Sequence, residues 1–139
     1  DVGCGNAKRG HLGVDLNKTS DADVIASAEY LPFRDNAFFL VTSYQVLEHL
    51  FDPEKVLLEW LRVAKNRVVV NVPWRDGFFL WKRKNREHRW SFSRKWFLKF
   101  GRKYRLEVQA TYSQVFIFPQ DITVEIFKNR SMLNGEIVE

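Results

Sequence analysis

The segment Val68-Val69-Val70-Asn71-Val72, inside a run from Arg67 that Pro73 ends, restricts the fold more than any other part of the chain. It is almost entirely β-branched. Branched side chains suit a pleated surface, and a near-continuous apolar run leaves no polar face for water, so it reads as a strand covered on both faces. Ahead of it lies a helix start, with Asp52 at the N-cap and Pro53 in the first turn. The pattern predicts a helix to about Lys65, with Val56, Trp60 and Val63 on one face, Leu57 and Leu61 beside them, and Asn66 as the stop.

The same reasoning predicts strands at 11–16, 23–26 and 38–43. Ser93 caps a helix from Arg94 to Phe100 that Gly101 closes. Strands at 106–112 and 122–127 pair antiparallel, with Pro119-Gln120-Asp121 in the connection. This alternation implies an α/β, Rossmann-like doubly wound fold. Its sheet is mostly parallel, with a C-terminal antiparallel strand pair and helices on both faces. Residues 1–139 read as one domain. Asp1 to Gly5 reads as the end of a strand, which predicts further residues upstream.

Composition excludes several classes. At 45% hydrophobic and 15% aromatic, the chain does not read as disordered. Its apolar runs fall far short of the roughly 20 residues of a membrane-spanning helix. The single cysteine, Cys4, excludes an internal disulfide and a cysteine-rich zinc site, and favours a reducing, cytoplasmic setting. Three isolated histidines without metal-ligand spacing argue against a zinc centre, and no metal is expected. The net charge of +5 is uneven, with eleven basic residues against one acid between Lys82 and Arg105. That stretch points to an anionic partner or to a solvated basic face.

Ligands of such sheets bind beyond the carboxyl ends of the strands. There the sequence puts the Gly3-Cys4-Gly5 turn, and at the end of the next strand Asp15, an acid that can accept hydrogen bonds from both ribose hydroxyls. Glycine turns and ribose acids also serve nicotinamide enzymes, but position 8 is Lys where their third glycine would stand.

The motifs now resemble one family. Asp1-Val2-Gly3-Cys4-Gly5 is similar to the signature turn of class I S-adenosylmethionine-dependent methyltransferases. Ala28-Glu29-Tyr30-Leu31-Pro32-Phe33 with Asp35-Asn36-Ala37-Phe38 resembles their A-E-x-L-P-F-x-D-x-x-F stretch. Val46-Leu47-Glu48-His49-Leu50 resembles V-L-E-H-L, and Glu59, Arg62 and Val63 resemble E-x-x-R-V. The resemblance implies a methyltransferase whose cofactor is S-adenosyl-L-methionine and whose product is S-adenosyl-L-homocysteine. It puts Asp1, Gly3, Cys4 and Gly5 around the methionine part and Asp15 at the ribose. Leu16, Ala28 and Glu29 would lie at the adenine, and Ser43, Tyr44 and Gln45 at the sulfonium end. His49 and His88 are the candidate bases if the acceptor is a hydroxyl, with Tyr44 as an orienting group. Glu87 to Ser93 resembles the stretch that borders the acceptor pocket in relatives.

The sequence also departs from the family. A short loop stands where most members have a helix after the glycine turn, Ser27 replaces an Asp, and Phe39 replaces an acid. Trp74, Phe78, Phe79, Trp81, Trp90 and Trp96 mingle with cations over 74–96. This region reads as an acceptor-side lid, built either to bind RNA, with the basic stretch 82–105, or as a hydrophobic flap. Two function readings stand: methyl transfer to a small molecule or anionic macromolecule, and a non-catalytic S-adenosylmethionine- or RNA-binding module on the same fold.

Overall fold

The computed structural model describes residues 1–74, 88–115 and 118–128. The sheet is built from β1 (Val14–Asp15), β2 (Val24–Ile25), β3 (Phe38–Tyr44), β4 (Ala64–Pro73), β5 (Glu107–Val115) and β6 (Phe118–Phe127). Val2 bridges β1 and β3, in parallel to both Val14 and Ser43, and so joins the two halves of the sheet. The order across it is therefore β2, β1, Val2, β3, β4, β6, β5. β1–β2 and β3–β4 are parallel, and β6 runs antiparallel to both β4 and β5. This is the mostly parallel α/β sheet with an antiparallel terminal pair that the sequence implies.

Helix α1 (Pro53–Val63) begins as expected. Asp52 accepts from the Lys55 N–H at 3.1 Å, and Pro53 occupies the first turn. Val56, Leu57, Trp60, Leu61 and Val63 are buried. Helix α2 (Arg94–Tyr104) starts at Ser93, whose hydroxyl accepts from the Trp96 N–H. Val68, Val70 and Val72 of β4 and Ile122, Val124 and Ile126 of β6 share one fully buried face, in one core with residues of both helices. The other face of β4 and β6 carries Val69, Asn71, Thr123 and Glu125, all half-buried, so β4 is fully covered on one side only.

Besides the one-sided cover of β4, further local expectations differ from the structure. Helix α2 does not end at Gly101 but runs to Tyr104, and Arg105 takes the left-handed C-cap, with φ 55°. Gly101 serves packing instead: a Cβ there would lie 2.5 Å from Val108 Cγ2 and 3.0 Å from the Leu106 carbonyl oxygen. Pro119, Gln120 and Asp121 belong to β6 rather than to the connection before it. Asn66 does not stop a helix, since β4 already begins at Ala64. Phe39 falls where the β3–β4 register shifts, and it is 67% exposed, so the residue replacing the family's acid sits on an irregular edge. No described helix is long and apolar enough to cross a membrane.

Helix α1 also ties down the loop before β3. Trp60 Nε1 donates to the Ala28 carbonyl at 2.8 Å, and the Leu31 N–H donates to Glu59 Oε1 at 2.8 Å. The Arg62 guanidinium reaches Glu59, Asp35 and the Phe33 and Leu31 carbonyls. Its hydrogen bonds hold the Glu59 carboxyl below the usual carboxylate range.

A group lowered in this way stabilises the fold above its unfolded pKa and loses that contribution as pH falls through the folded value. Glu59→Gln is therefore expected to cost about 1–2 kcal/mol at neutral pH. The difference from wild type should shrink below about pH 4, as read by urea unfolding across pH. Gly101→Ala is expected to destabilise the fold by about 1–3 kcal/mol through overpacking, although alanine is the better helix former by roughly 1 kcal/mol. Adding Val108→Ala should recover part of that loss relative to Val108→Ala alone, in the same unfolding assay.

Candidate functional site

The carboxyl ends of the strands meet at one rim, and the chain there is bent by two left-handed glycines, Gly3 at φ 69° and Gly5 at φ 52°. Gly3 lies directly under Val46, where an added Cβ would stand 2.3 Å from Val46 Cγ2. Gly5 differs: no protein atom lies within 4 Å of the place its Cβ would take. Beyond Gly5, residues Asn6 to Gly10 form neither helix nor strand, as the short spacing predicts, whereas His11 to Gly13, expected to open a strand, are also irregular, and the strand is only Val14–Asp15. This loop is tethered by Asp23, which accepts from the Gly13 N–H at 2.7 Å and from Lys8 Nζ at 2.9 Å.

Asp15, at the end of β1, faces the glycine bend. Its Oδ2 accepts from the Gly5 N–H and its Oδ1 from the Asn17 N–H, both at 2.8 Å. Each carboxylate oxygen retains further acceptor capacity. Leu16 beside it is 71% exposed, a large apolar side chain held out at the rim. Ala28 and Glu29, on the loop secured by α1, are half-buried. Ser27, standing where the family has an acid, turns inward to its own loop, its hydroxyl accepting from the Glu29 N–H at 3.2 Å.

The N–H groups of the bend are already spent. Gly3 and Cys4 donate to the Val14 carbonyl at 2.7 and 3.2 Å, and Gly5 donates to Asp15. A turn that cradles a pyrophosphate must point such donors at the ligand. This one offers bare Cα surface and a carboxylate, which suits a neutral or cationic group and disfavours the nicotinamide dinucleotide reading. Cys4 itself is buried, and burial raises its thiol pKa, so its side chain packs rather than reacts. The Asp1 carboxylate accepts from the Arg9 N–H at 2.7 Å and bends the loop back over the rim.

The end of β3 supplies the opposite wall. Ser43 is buried, and its hydroxyl donates to the Val2 carbonyl at 3.0 Å, so it braces the sheet. The Tyr44 ring is half-buried and lies under the Arg9 guanidinium, 4.5 Å from ring centroid to Cζ. Gln45 is exposed with a left-handed backbone, φ 56°, and its Nε2 donates to Asn71 Oδ1 at 2.7 Å.

After Gln45 the chain makes a 3-10 turn over Leu47–His49. Here the structure brings together residues far apart in sequence. The Arg89 and Trp90 N–H groups donate to the Glu48 carbonyl at 2.8 and 3.1 Å. That places His88 against His49, with ring centroids 4.7 Å apart and nearly perpendicular planes. Ligand atoms of Glu48, His49 and His88 all lie within 4.8 Å of one another. The histidines are thus not isolated, as their spacing implies, and Glu48 is a neighbour that the candidate set above omits. Its signal in the sequence is a charged residue inside the apolar segment Val46 to Leu50. Glu48 is 1% exposed, neither carboxylate oxygen meets a hydrogen-bond partner among the described residues, and burial raises its pKa.

Of the lid at 74–96, residues 75–87 lie outside the described ones, and with them Phe78, Phe79 and Trp81. Trp96 is half-buried and packs with Phe92, Phe97 and Phe100 of the core cluster. Trp74 packs edge-on against Tyr112, and Trp90 donates from Nε1 to the Phe51 carbonyl at 3.2 Å.

Comparison with known proteins agrees with this geometry. Residues 8–70 match the methyltransferase domain family model. No curated protein matches in sequence. Among solved structures, the chain is similar to an S-adenosylmethionine-dependent methyltransferase of Thermotoga maritima, described as a possible histamine N-methyltransferase. The TM-score is 0.73 at 19% identity, covering 92% of this chain and 80% of that one. The YcgJ protein of Bacillus subtilis gives a TM-score of 0.71 at 15% identity, covering 94% and 91%. Magnesium protoporphyrin IX methyltransferase of Synechocystis with bound S-adenosylhomocysteine gives 0.66 at 12%, covering 92% and 73%. Family model and fold agree: residues 8–70 are similar to the methyltransferase domain family, and the chain shares its fold with the S-adenosylmethionine-dependent methyltransferases named above.

Proposed function

We propose that the chain catalyses transfer of the methyl group of S-adenosylmethionine to an acceptor by direct in-line displacement. The observation that carries this reading is the rim itself: an open space over Gly5, the Asp15 carboxylate facing it, and the apolar Leu16 side chain held out beside both. Such a cradle fits an adenosyl group, with hydroxyls for the acid and a flat apolar base for the leucine.

When bound, S-adenosylmethionine supplies a methyl group on a positively charged sulfur that an acceptor lone pair can take directly. The chain's task is then alignment and exclusion of water. Asp15 would hold the ribose hydroxyls, and Ala28 and Glu29 would border the base. Gly3, Gly5 and Asp1 would line the methionine part, and Tyr44 and Gln45 the sulfonium end. Cys4 and Ser43, whose side chains are buried, would support the site from behind through packing and sheet pairing. Should the acceptor be a hydroxyl and the two imidazoles carry no metal, His49 and His88 would take up its proton, with Tyr44 orienting it.

The exposed Arg94, Lys95, Lys99 and Arg102 on α2 favour an acceptor with negative charge. They also support the second reading, in which the same fold engages RNA. RNA binding that weakens steeply with added salt is its expected signature, and salt-independent or absent binding counts against it.

Calorimetry should show saturable binding of S-adenosylhomocysteine, and Asp15→Ala is expected to weaken it at least about tenfold, the loss of roughly 1.4 kcal/mol. Gly5→Ala is the sharper probe. Its Cβ meets no protein atom, so the fold should lose only the roughly 1–2 kcal/mol of a strained left-handed residue. Affinity should nevertheless fall, because the methyl group enters the ligand's space. Undiminished affinity in both variants would remove the cradle as the cofactor site.

A further inference from the structure

We infer that Glu48, His49 and His88 form a binding site for one divalent transition-metal ion of the zinc type. Each residue presents a ligand atom within 4.8 Å of the other two. Two imidazole nitrogens and one carboxylate oxygen suit zinc and its first-row neighbours, whereas magnesium and calcium prefer all-oxygen sets.

The second observation is Glu48 itself. It is 1% exposed, in the 3-10 turn, yet both carboxylate oxygens lack a hydrogen-bond partner among the described residues. Among the described residues, the ionic contact of His49 Nε2 with Glu48 Oε1, at 3.9 Å, is too long for a hydrogen bond. A buried carboxylate without hydrogen bonds or a close cation is costly and is seldom kept without a reason. A metal ion between it and the two rings would remove that cost.

The fold positions the ligands independently of any ion. His49 follows Glu48 within one turn, and the bonds from the Arg89 and Trp90 N–H groups to the Glu48 carbonyl bring in His88. Metal–ligand distances of about 2.0–2.2 Å put tetrahedral ligand atoms roughly 3.5 Å apart, so the three groups need close by only about 1 Å. His49 is 37% exposed, which leaves an approach from solvent. Three protein ligands leave at least one coordination position for water or another oxygen ligand.

The site shares no residue with the adenosyl cradle, and its test needs no methyl donor. The untagged full chain, stripped of metal by a chelator, is titrated with cobalt(II) and followed by its visible absorption. The same titration is run with zinc by calorimetry. Saturation at one ion per chain is expected. Glu48→Gln and His88→Asn should each weaken binding by at least the roughly 10–100-fold that follows loss of even an outer-shell partner, while His11→Asn should leave it unchanged. Circular dichroism checks that each variant folds, and His88→Asn, at a half-buried position, serves if Glu48→Gln does not. No saturable binding, or binding undiminished in a folded His88→Asn chain, would overturn the assignment and leave the two histidines as candidate proton acceptors.

Discussion

Val2 is held from both sides. Its N–H donates to the Thr42 carbonyl at 2.8 Å, its own carbonyl accepts from the Ser43 hydroxyl, and Asp1 and Gly3 bond to Val14 across the other edge. Buried and paired with two parallel neighbours, this residue fixes where the chain leaves the sheet. The bend that follows has little freedom left. Gly3 must pass beneath Val46, and Gly5 must donate to Asp15. The opening over Gly5 is therefore a product of strand pairing, and the short loop that follows has only to stay clear of it.

A second constraint comes from α1. Its inner face is core, but Glu59, Trp60 and Arg62 reach sideways to the loop over Ala28 to Asp35. A planar guanidinium is suited to this, because its fork serves two carboxylates and two carbonyls at once. The recurring E-x-x-R pattern thus has a physical reason here: it holds the loop that would border the adenine. The residues that shape the proposed pocket are secured by side chains that do not enter it.

Much of this was legible in the sequence because it is local. The caps at Asp52 and Ser93, the apolar face of α1, the β-branched run of β4 and the glycine turn each carry their cause within a few residues. What escaped depends on distant neighbours. Gly101 resembles a helix terminator until Val108 is set against it. Pro119 resembles a turn residue but tolerates its strand position in β6. His49 and His88 look dispersed until backbone bonds to Glu48 draw their segments together. Ser43 borders the site in sequence, yet its hydroxyl is turned to Val2, a choice set by sheet register.

The central claim is that an adenosyl ligand lies along the rim between the glycine bend and Asp15. The most direct measurement is a two-dimensional amide and methyl resonance titration of the isotope-labelled chain with S-adenosylhomocysteine. The account predicts saturable shifts concentrated at the Gly3, Gly5 and Glu29 amides and the Leu16 methyls, with the amides of β5 nearly still. Saturable shifts confined to α2 or to the β5–β6 pair, with Gly5 and Leu16 unmoved, would contradict it.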